Sequence, residues 1–312
     1  MSEFSLMRSD NKKGIVALIF NDFNKISCRI MSEIDLHCHT HHSDGSLAVA
    51  DLIQRAVNNG VRLLAITDHD SVAAHNELSE QFQQRQSSAP LEIDVIPAVE
   101  ISASWRNKDI HIVGLNIDHS QKELTEFLAA QYRLRSDRAT ELVKKMQQRL
   151  KISDAANKIA QLAKGGIICR SHFAQLIVNE GKAVDFKRAF EKFLKKGKIA
   201  SVRSHWPEMS EVVTIIRKAG GKAVIAHPTR YRLNNSTLYE LVEDFSAVGG
   251  TALEVAYPGI KPKQQRHLVR LANTFSLAGS QGSDFHHPYQ VWADLGKVPY
   301  FPADIQPIWN DF

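Results

Sequence analysis

Short apolar and β-branched runs alternate with longer amphipathic stretches from residue 32 onward, and this alternation restricts the fold most strongly. Such a pattern is typical of βα units around a mostly parallel sheet. Seven runs qualify as strands: Ile34–His37, Leu63–Thr67, Asp94–Val99, Ile110–Leu115, Lys222–Ala226, Ala252–Ala256 and Leu277–Gln281. We therefore expect an α/β fold.

About a hundred residues without a strand signal separate the fourth run from the fifth. Leu124–Leu150 has apolar residues at helical spacing, and Phe186–Leu194 also reads as a helix, with Gly165-Gly166 as a turn between them. A connection of this length indicates an inserted helical subdomain rather than a loop. We predict a barrel domain of residues 31–119 and 206–312 that is interrupted by a basic helical insertion at residues 120–205.

The first 30 residues resemble a signal peptide only superficially. The apolar run Gly14–Phe20 follows two lysines, but it has seven residues and no small-residue cleavage site follows it. We expect residues 1–30 to be either a poorly ordered N-terminal extension or the result of an upstream start codon, without chemistry of their own.

Composition excludes several classes of protein. The chain is 43% apolar and 23% charged, and it contains no uninterrupted apolar stretch near the ~18 residues of a membrane helix. Its three cysteines lack the paired spacing of zinc ribbons or disulfide frameworks, which favours a reducing cytoplasm. The formal net charge of +5 favours anionic partners such as nucleic acid or phosphate.

Residues of metal-ligand type follow or end almost every predicted strand. Carboxyl ends of strands meet at one face of an α/β barrel, so these side chains are expected to converge. The nine residues are His37, His39, Asp44, His69, Glu100, His111, His227, Asp284 and His286. A catalytic ion typically takes about three protein ligands and keeps one position open, so nine ligands predict roughly three divalent ions. Imidazole and carboxylate without thiolate favour manganese, iron or zinc.

Other polar residues near these strand ends have plainer interpretations. Asp68 is expected to orient an imidazole from behind, and Glu254 is open as a ligand, an acid–base group or a carboxylate at the rim of the core. A lone histidine is more often a hydrogen-bonded polar residue than a ligand. That interpretation applies to His41, His42, His75, His119, His205, His267 and His287.

Five sequence motifs carry a family resemblance. They are Asp35-Leu36-His37-Cys38-His39, His42-Ser43-Asp44-Gly45, Thr67-Asp68-His69-Asp70, Ala226-His227-Pro228 and Gly282-Ser283-Asp284-Phe285-His286. Together they resemble the successive motifs of the PHP (polymerase and histidinol phosphatase) superfamily across most of residues 34–290. Within it, the arrangement is most similar to bacterial RNase AM and the 3′,5′-nucleoside bisphosphate phosphatases.

The resemblance implies a distorted (β/α)7 barrel of PHP type with a helical insertion, a three-metal centre commonly containing manganese, and phosphoester hydrolysis. The family's ligands fall on the nine positions above, with Glu100 implied as a bridge between ions. Glu100, Asp284 and His227 are our catalytic candidates. Relatives also resemble this chain around Arg135, Arg138, Arg170 and His172, and with Arg230 these are the substrate-binding candidates, because arginines bind phosphoryl oxygens bidentately.

Positive charge concentrates in the predicted insertion. Lys187, Arg188, Lys192, Lys195, Lys196 and Lys198 fall within twelve residues, and this basic segment either tracks an RNA backbone or is a solvated surface. We predict a phosphoesterase that acts on RNA 5′ ends in the 5′-to-3′ direction and on 3′,5′-nucleoside bisphosphates. The alternatives are a small-molecule phosphatase of the histidinol phosphate type and a non-catalytic RNA-binding accessory protein.

Overall fold

Seven strands form one sheet in the chain order β1 to β7, at the positions that the alternation predicts. The computed structural model describes residues 31–84 and 93–312; the predicted extension at residues 1–30 lies outside them. The strands are β1 Ile34–Cys38, β2 Leu63–Ile66, β3 Asp94–Trp105, β4 Lys108–Leu115, β5 Lys222–Ile225, β6 Ala252–Ala256 and β7 Ala278–Gln281.

Helices occupy most of the remaining described chain. They are α1 Val49–Asn58, α2 Ala73–Gln84, α3 Lys122–Leu150, α4 Ala155–Ala163, α5 Arg170–Asn179, α6 Phe186–Ala189, α7 Met209–Lys218, α8 Asn235–Ala247 and α9 Pro262–Thr274. α6 continues as a π-helical turn, Phe190–Leu194, and short 3₁₀ helices cover Pro228–Tyr231 and Ile308–Asp311. No helix in residues 31–84 and 93–312 combines the length and apolarity needed to cross a membrane.

β4 runs against its two neighbours, whereas the other strand pairs are parallel. The reversal comes from a tight hairpin between β3 and β4. Arg106 and Asn107 both have positive φ angles, 47° and 61°, which are the left-handed conformations of a two-residue turn that matches strand twist. The hairpin extends β3 beyond the predicted end at Val99 and makes one connection of the barrel a turn instead of a helix.

The sheet is a nearly closed barrel. Cys38 at the end of β1 bridges Phe285, which follows β7, and the Asp284 amide donates to the His37 carbonyl at 2.8 Å. Every strand contributes to one apolar cluster that includes Leu36, Val113 and Val224. A cluster that draws on all strands of a closed sheet fills the barrel interior.

The predicted insertion has a hydrophobic core of its own. Leu124 and Leu128, in the first turns of α3, belong to the core that packs helices on the barrel. Leu142 and Met146, farther along the same helix, belong to a second core with α4 and α5. Residues 31–312 nevertheless form one compact unit, because α3 runs through both cores. The boundaries at residues 120 and 205 stay predictions.

Candidate metal centre

The nine predicted ligands converge at one end of the barrel. His37 lies in β1 and Glu100 in β3, while His69 and His227 come directly after β2 and β5. Parallel strands bring these positions to a common edge. His111 reaches the same edge from the first half of β4, which requires that β4 be antiparallel.

Glu100 lies at the middle of the cluster. Its Oε1 is 2.8 Å from His111 Nδ1, 3.0 Å from His227 Nε2 and 3.4 Å from His37 Nε2. Its Oε2 is 2.9 Å from His69 Nδ1 and 3.4 Å from His39 Nε2. A carboxylate with both oxygens facing different imidazoles has the arrangement of a bridging ligand.

Asp44 and Asp284 supply two further carboxylates. Asp284 Oδ1 lies 3.2 Å from His39 Nε2 and 3.6 Å from His286 Nδ1. Asp44 Oδ1 lies 3.4 Å from His286 Nε2 and 3.7 Å from His69 Nε2. The nine side chains therefore form one continuous cluster.

The donor atoms fit divalent cations. Groups whose ligand atoms lie within 4.8 Å of one another are His39/Asp44/His69/His286, His37/Glu100/His227, His37/His39/Asp284 and His69/Glu100/His111. Several of these atoms are buried without a hydrogen-bond partner among the described residues: His37 Nε2, His39 Nε2, Asp44 Oδ1 and Glu100 Oε2. Buried polar atoms are normally satisfied, so their convergence indicates that cations complete them.

Electrostatics in the cluster keep the carboxyl groups ionised. Burial opposes the charge of Glu100, but the imidazoles of His111, His69 and His37 outweigh it and hold the pKa of the carboxyl well below its usual range. Burial, with His286 nearby, lowers the pKa of His39 to about 4, so this imidazole is neutral and able to bind a cation. Burial also opposes protonation of His286, but Asp44 and Asp284 raise its pKa to about 9.

Two ligands are held in a strained backbone conformation. His227 and Asp284 have φ angles of 31° and 50°, a region that non-glycine residues rarely adopt. Beside Asp284, a Cβ on Gly282 would lie 2.2 Å from the Cβ of His37, so only glycine lets β1 and the segment after β7 come this close. In this backbone conformation the side chains of His227 and Asp284 both lie in the cluster.

Glu254 contacts two of the predicted ligands from outside the cluster, a role that differs from the three interpretations left open for it. Its Oε1 is 2.8 Å from His37 Nδ1, and its Oε2 accepts from the His227 backbone amide. A carboxylate on one ring nitrogen leaves the other nitrogen as a lone-pair donor. Asp68 acts less directly than expected: it accepts from the Thr40 amide at 2.8 Å and from Ser43 Oγ at 2.6 Å, and only Ser43 reaches His39 Nδ1, at 3.4 Å.

Arg135 has a structural role in addition to the substrate role that the resemblance implied. Its Nε donates to Asp70 at 2.5 Å, another nitrogen to Ser102 Oγ at 2.8 Å and the third to Cys169 Sγ at 3.2 Å. Only 7% of the residue is exposed. These bonds use three of the five guanidinium N–H groups and tie α3 to the barrel. The substrate role of Arg135 stays a prediction.

Arg138 and His172, two of the other predicted substrate residues, have ring or guanidinium nitrogens without a hydrogen-bond partner among the described residues. Arg138 Nε is buried without a partner, and the guanidinium lies 5.4 Å from the Trp206 ring centroid. Burial and then the charge of Arg170 lower the pKa of Arg138 to about 10. Neither Arg138 nor Arg170 forms an ion pair among the described residues. Nδ1 of His172 accepts a hydrogen bond of 3.1 Å from the Cys169 amide, which leaves Nε2 free to donate to another partner. Arg230 donates to Asp284 Oδ2.

Ser171 is a site residue that the sequence analysis missed. It lies at the start of α5, and its hydroxyl donates to Asp44 Oδ2 at 2.5 Å. Its position beside Arg170 and His172 was the available signal. Of the histidines set aside, His75 lies 2.9 Å from the carbonyl oxygens of Ile66 and Ala98, as expected of a hydrogen-bonded polar residue. The cationic residues of the basic segment are exposed.

Comparisons with known proteins agree with this geometry. A family model described as PHP domain matches residues 35–223. The 5′-3′ exoribonuclease Rnm of Escherichia coli (strain K12) is 41% identical over 276 residues, which cover 88% of this chain and 92% of the relative. The 3′,5′-nucleoside bisphosphate phosphatase of Chromobacterium violaceum is 33% identical over 281 residues, 90% of this chain and 96% of the relative.

A solved structure also matches. It is a putative metal-dependent phosphoesterase from Bifidobacterium adolescentis, with a TM-score of 0.72 and 25% identity. The match covers 89% of this chain and 93% of that one. The similarity therefore extends across both the barrel strands and the helices between β4 and β5.

Proposed function

From the premise that this chain belongs to the PHP domain family, we propose that it is a metal-dependent phosphoesterase that hydrolyses nucleotide 5′ ends. It removes nucleotides from RNA in the 5′-to-3′ direction and releases the 5′-phosphate of 3′,5′-nucleoside bisphosphates. The observation that carries the proposal is the cluster of nine ligands around Glu100, with converging buried atoms that lack partners. Relatives named for both activities support the choice of substrate.

The cluster would hold roughly three divalent ions. We propose manganese, with iron or zinc as alternatives, because the ligands are imidazoles and carboxylates. Bound ions would activate water and neutralise charge on the phosphoryl oxygens. Glu100, Asp284 and His227 are the catalytic candidates among the residues that would hold these ions, and Glu100 belongs to two of the ligand groups. Glu254 keeps His37 and the backbone of His227 in place throughout.

Arg138 and Arg170 are suited to bind a substrate phosphate. Burial and the charge of Arg170 lower the pKa of Arg138, and burial and the charge of Arg135 lower the pKa of Arg170. Arg138 also retains a buried Nε without a hydrogen-bond partner among the described residues. Two neighbouring cations without an ion pair gain more from an anion than isolated surface arginines do. His172 Nε2 offers a further donor beside them. We propose that these three residues hold the phosphate on the 3′ side of the nucleotide.

We propose that Arg230 acts at the reacting phosphate. It contacts Asp284, and Asp284 and Glu254 raise its pKa despite the opposing effect of burial, so it stays charged. A guanidinium at this position would bond to the phosphoryl oxygens as negative charge develops on them. A single site serves both reactions, because a nucleoside bisphosphate is the one-nucleotide limit of an RNA with a phosphate on the 3′ side.

The exposed basic segment would bind the RNA beyond the first nucleotides. Sequence-independent phosphate contacts of this kind suit an exonuclease. We propose further that residues 120–205 act as a basic insertion subdomain on a barrel of residues 31–119 and 206–312, in a cytoplasmic protein.

The decisive experiment is the product pattern on short 5′-labelled RNA with added manganese, beside kcat/KM for three small substrates. We expect release of 5′ mononucleotides from RNA. Adenosine 3′,5′-bisphosphate should be hydrolysed far faster than adenosine 5′-monophosphate or histidinol phosphate, because only it fills the site of Arg138 and Arg170.

Each alternative function gives a different outcome. A histidinol phosphate phosphatase would prefer that compound or treat all three alike. A non-catalytic RNA-binding protein would bind the RNA and release nothing.

A further inference from the structure

A second cluster of metal-ligand side chains lies outside the centre around Glu100. His41 and His42 belong to the loop between β1 and α1, and Glu77 lies on α2. One ligand atom from each lies within 4.8 Å of the other two. His42 Nε2 is 2.7 Å from Glu77 Oε2, and the rings of His41 and His42 have centroids 4.2 Å apart. The metal centre uses none of these three residues.

A hydrogen bond between His42 and Glu77 accounts for only part of this cluster. His41 Nδ1 is buried and has no hydrogen-bond partner among the described residues. Buried ring nitrogens are rarely left unsatisfied. A cation bound through the ligand atom that each of the three residues offers would add a partner for His41, which the hydrogen bond between His42 and Glu77 does not.

The surrounding contacts fix the side chain of Glu77 and the backbone of His42. Glu77 Oε1 accepts from Gln81 Nε2 at 3.0 Å, which leaves Oε2 to face His42. The His42 amide donates to Thr40 Oγ1 at 3.1 Å, and the His42 carbonyl accepts from the Ile167 amide at 2.9 Å. Metal-binding carboxylates and imidazoles are commonly fixed by such outer contacts.

We propose that His41, His42 and Glu77 form a separate zinc site. Two imidazoles and one glutamate are a ligand set that zinc uses, with a fourth position for water. The side chains of His42 and Glu77 are 20% and 30% exposed, so an ion can enter from solvent. Tetrahedral ligands about 2.0–2.1 Å from zinc lie roughly 3.3 Å apart, which falls within the 4.8 Å that encloses the three ligand atoms.

Zinc at this site would link the loop that carries Asp44 to α2. The same loop packs against the insertion, where a Cβ on Gly166 would lie 2.1 Å from the His41 carbonyl oxygen. The ion would therefore brace the β1–α1 loop between the barrel and the helical insertion. Because zinc would bind only the folded protein, it should raise the unfolding temperature.

The test compares zinc content across single variants of the full-length, metal-loaded protein. Wild type, Glu77→Gln, His42→Asn and Glu80→Gln are dialysed against micromolar zinc chloride and analysed for metal. Glu77→Gln and His42→Asn should each bind one zinc per chain fewer than wild type. Glu80→Gln is the matched control, because Glu80 is exposed on the same helix, and it should bind the wild-type amount.

Stability and crystallography supply independent readouts. Zinc should raise the unfolding temperature of wild type and Glu80→Gln more than that of Glu77→Gln or His42→Asn, each compared with the same protein before zinc is added. Anomalous diffraction at the zinc edge should place an ion between His41, His42 and Glu77. Equal zinc content in all four proteins, or no anomalous peak there, would overturn the site.

Discussion

Ser171 Oγ donates to Asp44 Oδ2 at 2.5 Å, so a helix of the insertion holds a carboxylate of the candidate metal centre. Asp44 lies in the loop after β1, 127 residues away in sequence. Its other oxygen faces His286 and His69. The insertion therefore does more than extend the surface: it fixes one ligand of the cluster.

Ser171→Ala should weaken this part of the centre without unfolding the protein. Loss of an outer-shell hydrogen bond typically costs 10- to 100-fold in metal affinity or activity. We expect a loss in that range in kcat/KM at limiting manganese, partly recovered at saturating manganese. Ser153→Ala, at an exposed position of the insertion, is the control. Identical manganese dependence in the two variants would show that the hydrogen bond has no role in metal binding.

Glu100→Gln should have a larger effect than any outer-shell change. Glu100 contacts five imidazoles. A neutral amide at this position lacks the negative charge that binds cations and that interacts with the five rings. Turnover should fall by more than the 10- to 100-fold of outer-shell substitutions. His37→Ala and Asp284→Ala should reduce turnover to an extent similar to that of Glu100→Gln. Metal analysis provides the check: wild type with about one ion per chain would contradict the proposed three.

Neutralising the basic segment should separate RNA from small substrates. In a Lys192→Gln/Lys195→Gln/Lys196→Gln variant, KM for short RNA should rise. Its salt dependence should flatten by about 0.7 in log–log slope for each RNA phosphate that the variant no longer binds. Adenosine 3′,5′-bisphosphate hydrolysis should barely change, because exposed charges act over about 8 Å at physiological salt.

The control for this variant is Arg62→Gln/Lys218→Gln. Arg62 precedes β2 and Lys218 ends α7 before β5, so both lie toward the edge of the barrel opposite the ligands. The measurement is KM for both substrates at two salt concentrations. Equal effects on RNA and bisphosphate, or none on either, would mean that the basic segment is only a solvated surface.

Arg135→Met should destabilise the fold. The Arg135–Asp70 pair is buried, with 7% and 0% of the side chains exposed. Removing one partner of such a pair typically costs about 3–5 kcal/mol, because the other charge stays buried. Urea unfolding should show this loss in the free energy of unfolding. Arg133→Met, exposed on the same helix, should change it by less than about 0.5 kcal/mol. Similar values for both variants would contradict the structural role.

Much of the site was predictable because its signal is local. Strand runs are set by short apolar patterns, and a ligand type directly after a strand implies its position at the barrel edge. His37, His69, His227 and Asp284 were found in this way, and the structure brings them together. The (β/α)7 barrel and the phosphoesterase class came from the motifs that contain them.

Other features depend on contacts between distant segments, which no local pattern carries. The antiparallel direction of β4 follows from the Arg106-Asn107 turn, in which Asn is a usual turn former but Arg is not, and only that direction brings His111 to the predicted ligands. The motif around Arg135 gives no sign of its bond to Asp70, which lies 65 positions away. Sequence by itself determined which residues could bind metal; the tertiary structure decided which side chains fix them, because burial and pairing are properties of the packed chain.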